Sequence, residues 1–456
     1  MTAPYFIAHQ NIWLDERLNT GPGSYHIGGY VELRGPLDID IFGAALKAVA
    51  VAHAGLHMQP VPEGDGFRLL AYQDTFSSPV SVDLSQEENP VAAANAWMAA
   101  DFRRIFPAGA PLFRWGLIRL AADRHFWTKT YHHLIVDGHA ISRIVQDAAH
   151  AYTSLLAGRD PGLAGSDPLA IEDPLAGDGV SARRHWSTVL AAAPPVLNPV
   201  PPLPPPHFGP PHFGPPDLAP PKPDVPGRRT RIGLERRVYD GLARLAAEAG
   251  AGLPQLLLVL ASAALLRRAG RDALVAGLPV ANRPTAAHKA AVGLFATMQP
   301  AIVAIDATDR PLDVAAALAR RMRSAYRHRS IAFAEQAAML AAVRGRGTPA
   351  FDLTLSFEPH DYDARFGPVT ATAHTLSTGR EPHPLSIFVR DYHDGAAVTV
   401  DLDWRSDVFA ADDIPALIAR FSRLCHRLLD QPEASLGRLD QPDAETLARL
   451  GRLGRG

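Results

Sequence analysis

Residues 194–226 hold 16 prolines in 33 positions, among them the repeat HFGPPHFGPP at 207–216. Proline fixes φ and has no amide N–H to donate, so this stretch can form neither a helix nor a central strand. It reads as an extended, semi-rigid polyproline II connector on the surface. A recognition peptide for a proline-binding partner is the alternative. A chain of 456 residues is too long for one ordinary core, and two lobes of about 150–250 residues each are expected. The expected division is 1–178 for the first lobe, 179–228 for the connector, and 229–456 for the second lobe and tail.

Both flanking segments mix strand and helix patterns, which predicts an α/β fold in each lobe. GGYVELRG (28–35) suits a strand, and residues 39–56 and 90–105 suit amphipathic helices. LFRWGLIRL (112–120) and HFWTKTYHH (125–133) are rich in aromatic and branched residues, and the short AADR connection predicts a β-hairpin. The helix expected over 141–158 places Ile141, Val145, Ala148, Tyr152 and Leu155 on one face, with Gly158 as its stop. Beyond the connector, 239–270 reads as two helices divided near Gly252 to Pro254. Strands are expected over 272–284, 351–359 and 396–404, with a closing helix over 414–432.

Between the hairpin and the helix lies YHHLIVDGHA (131–140). If 125–133 is a strand, successive side chains point to opposite faces. His132 and His133 then diverge, one toward the core and the other toward a cleft. Leu134 to Val136 anchor the segment, and Asp137-Gly138 is expected to turn sharply, with Gly138 in a conformation closed to most residues. Asp137 orients an imidazole or pairs with an arginine from elsewhere. A histidine with its tautomer fixed locally moves protons near neutral pH. No G-x-S-x-G elbow is present, so the chemistry implied is direct transfer with one substrate supplying the nucleophile. From these ten residues alone, two structural histidines and a turn aspartate explain the pattern equally well. A metal site at His132, His133 and Asp137 is set aside because the histidines diverge and no H-E-x-x-H helix is present. His207 and His212 of the repeat read as solvated linker residues.

The charge balance, 45 basic against 47 acidic residues, argues against nucleic acid or an anionic membrane as the main partner. The single cysteine, Cys425, excludes an intramolecular disulfide and fits a reducing, cytoplasmic setting. No basic segment followed by an apolar one opens the chain. The apolar run LPQLLLVLASAALL (253–266) ends at Arg267-Arg268 and reads as a buried helix rather than a membrane span.

H-H-x-x-x-D-G at 132–138 resembles the active-site motif of condensation domains of nonribosomal peptide synthetases, within the chloramphenicol-acetyltransferase-like superfamily. The likeness runs along nearly the whole chain: AHQNIWLDERL (8–18), ANR (281–283) with VGLFATMQP (292–300), FDLTLSFEPHDYD (351–363) and LDQPDAETLARLGR (439–452). SYHIGGYVELRGPLD (24–38), AVAVAHAGLHMQ (48–59) and PHDYDARFG (359–367) with FGPVTATAH (366–374) are similar to the starter subtype. An opening motif as early as Ala8 agrees with an initiating position. Thr297, His57 and His139-Ala140 depart from residues frequent in the family. The resemblance implies two acetyltransferase-like lobes in a V with a tunnel between them. It carries catalysis to His133, with Gly138 near the reacting thioester and His132 and Asp137 in support. An arginine partner for Asp137 is expected before the late strand, Arg346 first and Arg344 as the alternative. The implied activity is transfer of an acyl group, from coenzyme A or an acyl carrier protein, to the α-amino group of an aminoacyl thioester on a peptidyl carrier protein. An adenylation domain is the expected neighbour, and no cofactor is held permanently. Ester formation, chain elongation, epimerisation and a non-catalytic recruiting platform are the rivals.

Overall fold

The computed structural model describes residues 6–16, 23, 25–63, 66–71, 78–107, 109–197, 227–359, 365–392 and 397–441. Most of the proline-rich connector, 198–226, and the tail beyond 441 lie outside the described residues.

The first half contributes α1 (Ile7–Asp15), β1 (His26–Arg34), α2 (Ile39–Ala52), β2 (Met58–Glu63), β3 (Gly66–Ala71), β4 (Val80–Asp83), α3 (Pro90–Arg103), β5 (Phe113–Ala121), β6 (Arg124–His132) and α4 (Gly138–Leu156). Next come α5 (Gly179–Leu190), β7 (Gly227–Leu234), α6 (Arg236–Glu248), α7 (Leu253–Ala269), β8 (Ala273–Val280), α8 (Ala286–Ala290), β9 (Thr297–Ala304), α9 (Pro311–Arg327) and α10 (Phe333–Arg344). The chain continues with β10 (Leu353–Pro359), β11 (Thr370–Thr375), β12 (Leu385–Asp391), β13 (Val398–Arg405), α11 (Asp413–Asp430) and α12 (Leu436–Leu439). Two mixed sheets result, ordered β11-β1-β6-β5-β4 and β7-β13-β12-β10-β8-β9, beside a β2-β3 ribbon.

The expected hairpin is β5-β6, paired from Phe113↔Tyr131 to Ala121↔Arg124 with an irregularity at Arg119/Ala121. It sits at the centre of the first sheet and carries the double histidine at its end. The expected helix is α4. Asp137 caps it by accepting from the Ala140 amide, which satisfies one of the orphan donors of the first turn. Ile141, Val145, Ala148 and Tyr152 are buried on one face, Leu155 packs beside them, and Gly158 ends the helix with φ 69°. α6 and α7 are the two helices expected beyond the connector. α7 is a core helix, with Leu256 to Leu260 fully buried. No single helix among the described residues is long and apolar enough to cross a membrane.

The two halves are not independent in space. β11, from the second half, pairs antiparallel with β1 and completes the edge of the first sheet. Val292, Leu294, Phe366 and Val369 pack into the core beneath that sheet. From the other side, Arg229 on β7 donates to the Thr375 carbonyl and hydroxyl. α5, from the segment expected as connector, packs on α10 and buries Trp186 beside Phe351.

Arg344 and Asp352 form a buried bidentate pair at 2.7 Å, and Asp352 also accepts from the Leu197 and Val275 amides. Removing one partner of such a pair strands the other charge. Asp352→Ala is therefore expected to lower unfolding free energy by about 3–5 kcal/mol, read as a lower urea midpoint by tryptophan fluorescence. Arg346→Ala, at an exposed loop position, should stay within about 0.5 kcal/mol of the native protein.

Candidate active site

Strand alternation sends the two imidazoles to different partners. His132 closes β6, where its amide donates to Leu112 and its Nδ1 accepts from the Leu134 amide at 3.1 Å. Nδ1 therefore carries a lone pair, and the proton sits on Nε2, which donates to Glu16 at 3.0 Å. His26 lies opposite His132 across the β1-β6 ladder. His26 Nδ1 donates to the Phe102 carbonyl at 2.7 Å, and burial pushes its pKa down to about 4.

His133 is half-buried, and its amide donates to Tyr25. Its Nδ1 lies 2.8 Å from the Val136 carbonyl. A carbonyl can only accept, so the proton sits on Nδ1 and Nε2 presents a lone pair. Nε2 has no hydrogen-bond partner among the described residues. Burial lowers the pKa of His133 from its ordinary value, against the opposing pull of the Val136 bond and Asp137. The imidazole is accordingly neutral at pH 7, with its basic nitrogen available.

Asp137 makes no hydrogen bond to either histidine among the described residues; it is the joint between the halves. Arg283 Nη2 reaches Oδ1 at 2.8 Å and Oδ2 at 3.0 Å. The Phe295 and Ala296 amides add bonds to Oδ2 at 3.1 and 3.3 Å. Arg283 is itself fixed by the His288, Ala291 and Gly293 carbonyls and lies over the Phe295 ring. Both members of the pair are almost wholly buried.

This corrects the expected arginine. Arg346 points to solvent in the loop after α10, and Arg344 is held by Asp352 at the foot of β10. Arg283 follows β8, far from the stretch before the late strand, and only the tertiary fold brings it to Asp137. The ANR segment at 281–283 contained the signal, but neither spacing nor residue type singled it out. Asn282 was missed as well. It is the only non-glycine residue with positive φ among the described residues, at 51°. Its amide nitrogen donates to the Phe295 carbonyl and the Thr297 hydroxyl, both at 2.9 Å. The left-handed turn aims Arg283 at Asp137, while the carboxamide ties down the loop whose amides reach the same carboxylate. Thr297, a departure from the family pattern, is thus half of that tie.

Gly138 also needs correction. It is the first residue of α4 and does not adopt positive φ. A Cβ built there would meet no atom within 4 Å. Glycine at this position leaves the space over the helix start open. The neighbouring His139 donates across the joint to the Lys289 carbonyl at 2.8 Å. His57 bonds the Ala50 carbonyl through Nε2.

Among the described residues, no group of three or more His, Cys, Asp or Glu side chains is placed to hold a metal ion. The arrangement offers one imidazole nitrogen with a lone pair and an open space at the start of α4, at a joint formed by both halves.

Residues 3–450 match the sequence model of the family described as Condensation domain. An isonitrile lipopeptide synthase of Streptomyces coeruleorubidus is 26% identical over 97% of this chain, which covers 29% of that protein. A dimodular nonribosomal peptide synthase of Bacillus subtilis (strain 168) is 25% identical over 89% of this chain, which covers 17% of it. The chain thus spans less than a third of these relatives. In fold it is similar to the starter condensation domain of rhizomide synthetase, solved as a mutant with C8-CoA and Leu-SNAC, at TM-score 0.81 and 22% identity, covering 97% of this chain and 98% of that one. The first condensation domain of the calcium-dependent antibiotic synthetase, solved with a substrate analogue, gives TM-score 0.78 and 20% identity, covering 97% and 99%.

Substitutions at Asn282 separate backbone from side chain. Glycine keeps the left-handed conformation but loses the carboxamide, whereas alanine loses both. Asn282→Ala should be less stable than Asn282→Gly by about 1 kcal/mol, measured by urea denaturation of the two variants side by side.

Proposed function

The chain belongs to the condensation-domain family of amide-forming acyltransferases, and from that premise we propose that it is the starter condensation domain of a nonribosomal peptide synthetase. The reaction is transfer of an acyl group from an acyl-CoA or acyl-carrier thioester to the α-amino group of an aminoacyl thioester on a peptidyl carrier protein. The observation that carries this reading is His133, with its proton held on Nδ1 by Val136 and a lone pair at Nε2. The starter-like segments at 24–38 and 366–374 support the subtype. So does the likeness in fold to starter domains solved with C8-CoA.

The chemistry follows from the groups present. A free α-amine has a pKa near ~8, so an appreciable share is neutral at cellular pH. Its nitrogen attacks the thioester carbonyl carbon, and the positive charge that forms on nitrogen is relieved by proton transfer to His133 Nε2. The C–S bond then breaks, the thiolate departs, and the proton on Nε2 passes to it. The imidazole returns to its starting tautomer, so no cofactor is consumed. Gly138 leaves room for the thioester beside the helix start. His132 and Glu16 hold the end of β6, and the Asp137–Arg283 joint holds the other end of the His133 loop. Both thioesters arrive on phosphopantetheine arms of coenzyme A or carrier proteins, in a tunnel between lobes 1–178 and 229–456, with 179–228 connecting them. An adjacent adenylation domain supplies the activated amino acid, and the setting is the cytoplasm.

The test is intact-mass analysis of an aminoacyl-loaded carrier protein incubated with this chain and a series of acyl-CoAs. One acyl increment is expected, and His133→Ala should slow its appearance by about 100-fold or more. No increment with any acyl-CoA or acyl-carrier donor would leave the recruiting-platform reading in its place. The pH dependence has a definite sign. Because the His133 pKa is lowered from 6.5, Nε2 stays unprotonated at neutral pH. Single-turnover transfer should fall only as pH drops through a midpoint below 6.5, after correction for the ionisation of the amine.

A further inference from the structure

Outside the histidine motif, a buried polar chain runs from the first half to the loop that meets Asp137. His53 caps the end of α2 and is fully buried. Its Nε2 lies 2.8 Å from Asp147 Oδ2 on α4, and its Nδ1 lies 2.9 Å from the Ser166 hydroxyl. Against the cost of burial, bonds from His53 and Arg143 lower the Asp147 pKa. The carboxylate is therefore ionised and can only accept, so the imidazole proton sits on Nε2 and Nδ1 accepts from the Ser166 hydroxyl. The Ser166 oxygen in turn accepts from the Val292 amide at 3.1 Å. The order of groups is that of a nucleophilic triad, but here the serine oxygen is engaged by a backbone amide, and what it holds is a loop.

That loop lies behind the active joint. Val292 stands at its start, and the residues after it supply the Gly293 carbonyl to Arg283 and the Phe295 and Ala296 amides to Asp137. Both of its ends are therefore tied to α4. Asp137, before the first turn, takes the far end directly. Asp147, about three turns further along, takes the near end through His53 and Ser166. Packing leaves little slack there. A Cβ on Gly55 would sit 2.1 Å from the Val292 carbonyl oxygen, and one on Gly293 would sit 2.7 Å from the Pro168 Cβ. Ser166 is itself fixed to the end of α2, its amide donating to Ala52 and its carbonyl accepting from the Ala54 amide. Links in such a buried network support one another, so removing one loosens the rest.

We propose that His53 is a positioning residue of the acyl-transfer reaction: through Ser166 it sets the 292–296 loop, and through Asp137 the Val136 carbonyl that keeps the His133 proton on Nδ1. Fully buried, it acts on the reaction only through these partners. The proposal rests on the acyl-transfer reading for the reaction it serves, but not for its geometry.

The experiment compares Ser166→Ala, His53→Asn and His53→Gln in the full chain. Ser166 is half-buried, so its truncation costs the fold least. Asparagine puts its carboxamide where Nδ1 stands and keeps the reach to Ser166, whereas glutamine reaches Asp147 instead. The readouts are kcat and KM for acyl transfer, the thermal midpoint, and the imidazole nitrogen NMR signals of His133, which report its tautomer and are identified by their loss in His133→Ala. Ser166→Ala should lower kcat by about tenfold, with KM for acyl-CoA and for the loaded carrier within about twofold of native, and should mix the two tautomers of His133. His53→Asn should keep more activity than His53→Gln, whichever has the lower thermal midpoint. Native kcat and a single native tautomer in Ser166→Ala overturn the proposal. So do losses of kcat that follow the thermal midpoints while the His133 signals stay native, which would make the chain of bonds a stabilising contact alone. The NMR readout needs no turnover. If the native chain transfers no acyl group and Ser166→Ala still mixes the tautomers, the acyl-transfer reading fails and the positioning of His133 stands.

Discussion

The bond on which the site depends is the buried pair between Asp137 and Arg283. Each comes from a different half of the chain, separated by 146 residues. Such a pair gains little net stability over an apolar contact, because both charges must leave water. Its value lies in what it specifies. The Asp137 carboxylate accepts from its own helix start, from the guanidinium and from two loop amides. Arg283 in turn answers three carbonyls of the segment 288–293. A shift of either half would leave several buried polar groups unpaired together, and that cost selects one arrangement.

The consequence reaches His133 through a short path. Asp137 starts α4 and ends the loop that begins at His133, and Val136, which holds the proton of His133, is its immediate neighbour. Fixing Asp137 therefore fixes the carbonyl that sets the tautomer. The carboxylate need not touch the imidazole to govern it. It acts by holding the backbone, while burial keeps the ring neutral. Alternation along β6 has already removed His132 to the other face, where Glu16 and the Leu134 amide fix it in the opposite tautomer. Two identical neighbouring side chains thus receive different protonation patterns from period-two geometry and local backbone groups alone.

Much of this was legible in the sequence wherever the determining interactions are local. The β5-β6 hairpin follows from two branched, aromatic runs and a short polar turn. α4 follows from its apolar stripe between Asp137 and Gly158. The divergence of the histidines follows from strand alternation. What was not legible depends on distant partners or on exact backbone angles. Residue type and spacing cannot choose Arg283 over Arg344 or Arg346, because each choice is made by where β8 and α10 end in space. The same holds for Glu16 beside His132 and for β11, which joins the first sheet from the second half. Gly138 failed for a different reason. Glycine after an acidic residue usually signals a special turn, but here it is an ordinary helical residue whose missing side chain matters more than its freedom.

The proposed site draws on both halves of the chain. The proposed proton acceptor, His133, its tautomer lock and the open helix start all come from the first half. The arginine, the loop amides and the Asn282–Thr297 tie that hold them come from the second, and β11 crosses back to close the first sheet. Neither half contains a complete site, and neither sheet has its full edge or core cover without the other. A domain of this design therefore assembles its chemistry only at the joint. Under the proposed reaction, substrates entering between the halves would meet the groups that also hold the halves together, and binding would be coupled to the geometry of the site through the same few residues.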